Sequence, residues 1–443
     1  MSGPKLGHVF GVSKQRVLSY LEREAVDGLF KKALASDCHI VVYGSSKQGK
    51  TSLVDKNLPY NSNVVVSCTP KFQAVDIYSA ILRAENIYIE SQVEKGSGTE
   101  SKVGVGAKFK ATIPFFGGGE AKVDAETSGK SNKTVKLETI ETNLELPQDV
   151  HHLLARTNFN KFVILENFHY LNLDVQKALA FDLRSFQELG MRFVILGVWR
   201  EKNRLTQYNG DLQDRILEVP VEPWSESEFR EVIALGCDQL NILIAENIQK
   251  NIFASAFDSI GVVQELVKCV CESGGISERQ DTPSKIDSID FFESAVREKV
   301  EDYSSRHLRA LESIAEGRKT KRATEDSVPL YLPYYTVRAW MDFPFNEVVK
   351  GIRREILEGE IKKHHHRPDD VRPSDMSNLL HNFAELQMEK GIIPPIFDYD
   401  QSSRMMRVID STFYFFLRHV DRDAVKKNLQ NPIERRAQPE RAS

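Results

Sequence analysis

Eight consecutive residues, Gly44, Ser45, Ser46, Lys47, Gln48, Gly49, Lys50 and Thr51, satisfy the spacing GxxxxGK[ST]. They directly follow the apolar run HIVVY and precede a helical start, the context such a loop needs to hold phosphate. Glycines let the backbone wrap closely around an anion, and successive N–H groups with the following helix N-terminus face it. Lys50 then neutralises β/γ-phosphate charge and Thr51 offers its hydroxyl to Mg²⁺, which makes ATP and Mg²⁺ the implied ligands. A magnesium site also needs an acid at the end of a later strand, and FVILEN supplies Glu166 there. Next to it, Asn167 stands where a water-polarising carboxylate would serve hydrolysis. Asn orients water but cannot take its proton, so turnover should be slow. His169 is close enough in sequence to assist, although its first reading is a helix-start or core histidine. In GVWREKNRL, Arg200 and Asn203 either reach the γ-phosphate as sensors or sit in a solvated loop. Asp214 and Arg215 immediately precede the apolar ILEVPV.

The elements that must position these groups follow from hydrophobic spacing. Residues 39–44, 64–68, 162–166 and 193–198 are continuous apolar runs, and helical stretches such as 175–189 lie between them. That alternation predicts an α/β fold with a parallel sheet covered on both faces. Residues 17–35 show helical periodicity.

Residues 95–136 break the rhythm: two alternating runs meet at Gly117, Gly118 and Gly119. One face of the first carries Val103, Val105, Ala107, Phe109, Ala111 and Ile113; the second carries Ala121, Val123 and Ala125. This predicts an inserted β-hairpin, whose apolar face docks on its own domain or on a neighbouring subunit or partner, with membrane insertion disfavoured by the absence of aromatic girdles. From Trp224 onward the pattern is helical, and strands are not expected in this part. Near the C-terminus, IFDYD and MMRVID flank Gln401-Ser402-Ser403 after a helix, an arrangement that suggests a winged helix. The domains are therefore 1–222 (nucleotide-binding, with the insertion 95–136), 223–304 (helical lid), 305–430 (winged-helix-like) and 431–443 (a disordered tail).

Composition narrows the class. The 443 residues carry 59 Lys and Arg against 63 Asp and Glu, a formal charge of -4, so no global basic field drives nucleic-acid or membrane binding. Five cysteines, at 38, 68, 237, 269 and 271, do not form a secreted disulfide framework. With no signal-like start and no apolar run of about 20 residues, the reading is a cytoplasmic protein without membrane contact. His364, His365 and His366 point in different directions on regular structure, and we read them as a solvated loop. The run Phe413-Tyr414-Phe415-Phe416 reads as core of the last helix.

With these residues placed, roughly the first 300 positions resemble an AAA+ P-loop ATPase, most like its initiator/STAND branch. The resemblance rests on the order GSSKQGKT, VILEN, FVILGVWREKNRL, Arg215 before the last strand and a lid opening with PWSESEF. It implies that Arg215 acts as a finger on the γ-phosphate of a neighbouring subunit, hence a homo-oligomer with ATP at its interfaces. A C-terminal winged helix fits the same branch. Departures are Glu166-Asn167 in place of Asp-Glu, and Gln264 near a position often held by a sensor arginine, with Lys268 a weak substitute.

Two functions follow. One is a slowly hydrolysing, ATP-switched oligomer that passes its state to an effector or signalling protein, a design used in bacterial defence. The other is a DNA-binding initiator or transposition-type regulator using the winged helix. The candidate recognition helix SDMSNLLHNFAELQMEKG is not basic, which gives little phosphate attraction and ranks a protein partner above DNA.

Overall fold

The computed structural model describes residues 3–13, 16–91, 109–114, 137–318 and 328–437. Its first unit contains β1 (His39–Tyr43), β2 (Val64–Ser67), β3 (Tyr88–Ser91), β4 (Phe109–Pro114), β5 (Leu137–Thr142), β6 (Val163–Glu166), β7 (Phe193–Gly197) and β8 (Ile216–Pro220). Five of these form one parallel sheet, in the order β2-β6-β7-β1-β8. β1 is apolar on both faces because both are covered. Ile40 and Val42 pack with Phe30, Leu53 and Val54 on one side, while Val41 and Tyr43 join Ile77, Tyr78 and Leu183 on the other.

The described part of the insertion, 109–114, has strand neighbours on both sides that the expected hairpin did not name. β4 is the middle strand of an antiparallel sheet between β3 and β5, with Ala111 opposite Ile89 and Ile140. Ala111 and Ile113 are buried in the core beneath the main sheet, so this part of the apolar face docks on its own domain. A two-stranded ribbon is marginal in water, and a strand on each side plus core cover removes that weakness. Val103, Val105 and Ala107, the glycine tip and Ala121 to Ala125 lie outside the described residues.

Residues 17–23 are not helical, contrary to their periodicity. A π-type turn (Glu24–Gly28) leads into the helix Leu29–Leu34. Buried Asp27 accepts hydrogen bonds from Arg23 N (2.9 Å) and the Tyr20 hydroxyl (2.8 Å), while Arg23 Nη2 reaches Val221 O at 2.8 Å. These bonds, two of them local to Asp27 and one reaching Val221, outweigh helix propensity, which is only a weak prior.

The second unit packs the helices Glu226–Leu240, Glu246–Ala256 and Ile260–Ser273 around one core. Ser225 and Glu228 cap the first of them reciprocally. Two short strands, β9 (Ile242–Ile244) and β10 (Ser284–Ile286), pair here in parallel, correcting the all-helical expectation. The helix Ile289–Glu316 runs unbroken across the expected boundary at 304/305. It contains no Gly or Pro to stop it.

The C-terminal unit follows the order helix Leu332–Asp342, β11 (Ile352–Arg353), helix Arg354–His364, helices Pro373–His381 and Phe383–Glu389, β12 (Phe397–Asp400) and β13 (Met405–Val408). The strands form an antiparallel sheet in the order β11-β13-β12. The helix Ser411–His419 then buries the whole aromatic run: Phe413, Tyr414 and Phe416 enter this unit's core, and Phe415 enters the lid core. Asn431 opens a further helix, Pro432–Ala437, where a disordered tail was expected; 438–443 lie outside the described residues. His365 is buried against Leu330 O (2.7 Å) rather than solvated. His364 lies near Glu360 and Asp342, but Lys426 already pairs with that aspartate at 2.5 Å. All five cysteines are free, and among the described residues no helix is long and apolar enough to cross a membrane.

Candidate nucleotide site

The loop 44–51 leaves the C-terminal end of β1 and enters the helix Lys50–Asn57. Gly44 is required by close approach: it has φ +151°, and a Cβ there would lie 2.7 Å from Val221 Cγ2. Gly49 caps the helix at φ +82°, a left-handed conformation that side chains disfavour. Ser45 N donates to Glu222 Oε2 (2.9 Å) and Ser46 N to Ile409 O (2.9 Å). The Ser45 and Ser46 amides are thus committed to protein acceptors, and the anion cradle falls to the later loop and the helix N-terminus. Lys50 is buried, with Nζ donating to Gly44 O (2.9 Å) and Ser45 O (2.6 Å). Burial pushes its ammonium down to about 8, against the pull of Glu222 and Glu166.

Glu166 ends β6 beside the loop. Burial raises its carboxyl above the ordinary range, opposed by hydrogen bonds from Tyr60 and Thr51 and by Lys50. A carboxylate and a hydroxyl brought together in this way are hard oxygen donors that fit Mg²⁺, with water and phosphate oxygens completing the shell. Bound there, the ion would neutralise phosphate charge. Tyr60 had no motif to announce it; only the fold brings it to Glu166. Asn167 adopts a left-handed conformation (φ 57°), which asparagine tolerates well.

These groups open on a cavity of about 330 Å³. Its lining joins the polar groups Lys50, Thr51, Glu166, Asn167 and His169, with Arg23 and Asp27, to the apolar side chains of Val17, Leu21, Val26, Trp224 and Ile260. Charged groups together with apolar and aromatic surface suit a phosphorylated ligand with a flat base. His169 is buried, and desolvation holds its imidazole neutral, well below the usual range. Gln264 fastens the lid to the N-terminal segment: Gly11 N donates to Oε1 (3.2 Å) and Nε2 donates to Ser19 Oγ (2.9 Å). Lys268 instead lies 3.9 Å from Glu272 and does not line the cavity.

The sensor candidates part company. Arg200 reaches the loop from behind, donating to Ser45 Oγ (2.7 Å), Glu222 Oε1 (3.2 Å) and the Tyr414 hydroxyl (3.2 Å). Asn203 is exposed, and its N–H donates to Glu218 at 2.8 Å; it does not line the cavity. A solvated turn is the reading its position supports. Arg215 lies at the opposite end of the sheet, one strand length or about 16 Å from the loop. It pairs with Glu188 (3.2 Å) and donates to Gln187.

Sheet order and loop together define the class: an α/β protein with a P-loop nucleotide-binding fold. No protein-family model matches the chain, and no curated protein matches it. Among solved structures, the Walker-type ATPase of Pyrococcus abyssi is similar at 12% identity, covering 90% of this chain and 96% of that one, with a TM-score of 0.49. The ORC2 protein of Aeropyrum pernix is 12% identical, with coverage of 96% and 100% and a TM-score of 0.43. A STAND protein with a tetratricopeptide repeat sensor from Pyrococcus horikoshii is 11% identical, with a TM-score of 0.35; 95% of this chain covers 47% of it.

Proposed function

We propose that this chain is an ATP- and Mg²⁺-dependent switch of AAA+ type that hydrolyses slowly, assembles as a homo-oligomer and passes its nucleotide state to a protein partner, as in bacterial defence signalling. The observation that carries this reading is the contact between loop and C-terminal unit. Ser46 donates N–H to Ile409 O (2.9 Å) and Oγ to Asp410 Oδ1 (3.2 Å), and Ser411 Oγ donates to Ser46 O (3.0 Å). Phosphate entering the loop therefore acts on a segment already bonded to the helix Ser411–His419, which links the lid and C-terminal cores. The C-terminal order of helices and strands is read as a winged helix.

Lys50 would bind the β/γ-phosphates, Thr51 and Glu166 would hold the metal, and Asn167 would orient water without deprotonating it. Arg215, at the far end of the sheet and paired with Glu188, would act only in trans and on leaving that pair. Sedimentation velocity of wild type and Lys50→Ala with and without ATP·Mg²⁺ tests the proposal. Assembly in wild type alone supports it, and tight ATP binding by the variant in calorimetry would sink it.

A further inference from the structure

A second cavity, of about 260 Å³, lies between the sheet unit and the C-terminal unit. His169 belongs to the walls of both cavities. Two side chains in the second wall, each nine-tenths or more buried, have polar atoms without protein partners. Gln176 donates Nε2 to Leu171 O (2.7 Å), which leaves Oε1 unpaired; neither ring nitrogen of His169 has a partner. Buried polar atoms are rarely left so, because desolvation without a partner is costly.

The charges around them point one way. Arg204 is already spent: Nη1 meets Asp398 Oδ2 at 2.6 Å and Nε donates to the Tyr208 hydroxyl at 3.3 Å. Glu201 is 6% exposed, shares hydrogen bonds with Asp400 and Gln207, and faces in Arg204 a cation already paired with Asp398. Burial, reinforced by Asp398 and Asp400 and only partly relieved by Arg204, pushes its carboxyl up to about 8. Asp174 and Glu385 add carboxylates to the lining, although Glu385 is shared with Arg318. The rings of Tyr208, His381 and Tyr399 complete the wall. Acceptors are in surplus, a bound cation would draw Glu201 into its charged form, and aromatic faces favour a cation further. A phosphate would meet carboxylates, and a bare metal ion would leave most of the volume unfilled.

We propose that this cavity binds a small organic cation, an amine or guanidinium compound, with Glu201 as counter-charge and Gln176 Oε1 and His169 as hydrogen-bond partners. Its walls come from two units, so the bound cation bridges them.

Calorimetry on the full chain at constant ionic strength, with agmatine as probe and inorganic phosphate as the anionic comparison, tests this. Expected are saturable one-site agmatine binding, a raised melting temperature and no phosphate binding in Lys50→Ala, whose agmatine affinity matches wild type. Glu201→Gln should weaken agmatine by about tenfold or more, and Met388→Lys, which places a tethered ammonium at the wall, should abolish its binding. If Glu201→Gln fails to fold by circular dichroism, Met388→Lys decides alone. No saturable heat with millimolar agmatine, or unchanged affinity in the folded variants, overturns the site. Unchanged ATP binding with lost agmatine binding would separate its failure from that of the nucleotide reading.

Discussion

Ser46 of the phosphate loop and Asp410 of the C-terminal unit share a hydrogen bond of 3.2 Å across 364 positions of sequence. Asp410 has no exposed surface, and its other oxygen meets Arg306 at 2.7 Å. Burial opposes its ionisation, but His307, Arg306 and Thr412 together hold it below the ordinary carboxylate range. The loop thus rests on a fixed negative charge belonging to another unit.

Ser46→Ala should cost about 1–2 kcal/mol, since it removes a hydroxyl that both donates to Asp410 and accepts from Ser411 N. ATP should still bind. Hydrogen exchange should show faster exchange at 409–412 in the variant, with less response to ATP than in wild type. An ATP response equal to wild type would mean that the contact carries no signal.

Lys50 predicts a proton linkage. Its pKa falls from 10.5 in the unfolded chain to about 8 in the folded one, so between these values the unfolded state binds more protons and stability rises with pH. Below pH 8 the ammonium is charged in both states and its burial is a standing penalty. Phosphate restores the charged form, so ATP binding near pH 8–9 should take up protons. Calorimetry in buffers of different ionisation enthalpy measures that uptake, and Lys50→Arg should remove it.

Asn167→Glu should accelerate hydrolysis by about 10²-fold or more if the missing base limits turnover. It should also cost about 1–2 kcal/mol, because Asn167 sits at φ 57° and glutamate tolerates that region less well. Phosphate release and thermal melting measure both effects; an unchanged rate places the limit elsewhere.

Arg215→Ala should leave ATP binding near wild type while lowering turnover and assembly. Loss of its exposed pairing with Glu188 should cost at most about 1 kcal/mol. Mixing it with Lys50→Ala should partly restore turnover, since one interface then joins an intact pocket to an intact arginine. No rescue, with a monomer under ATP, contradicts action in trans.

The sequence by itself determined the phosphate end of the site. Gly44, Gly49, Lys50 and Thr51 act within eight residues, so strand, turn and helix start are enough to aim them. The parallel sheet was equally legible, because strands buried on both faces must be apolar throughout. Tertiary structure alone decided the rest. Tyr60 reaches Glu166 across 106 positions and Gln264 pins Gly11 across 253, and neither separation leaves a periodic trace. Residues 17–23 carried a helical pattern that local bonds to Asp27 and a long-range bond from Arg23 to Val221 overruled. β4 found strands on both sides that its own alternation could not name, since period-2 spacing specifies a face but not a neighbour. Arg200 and Asn203 lie three residues apart, yet only the first meets the loop, because packing against Tyr414 and Glu222 draws it there while a left-handed turn leaves the second in solvent.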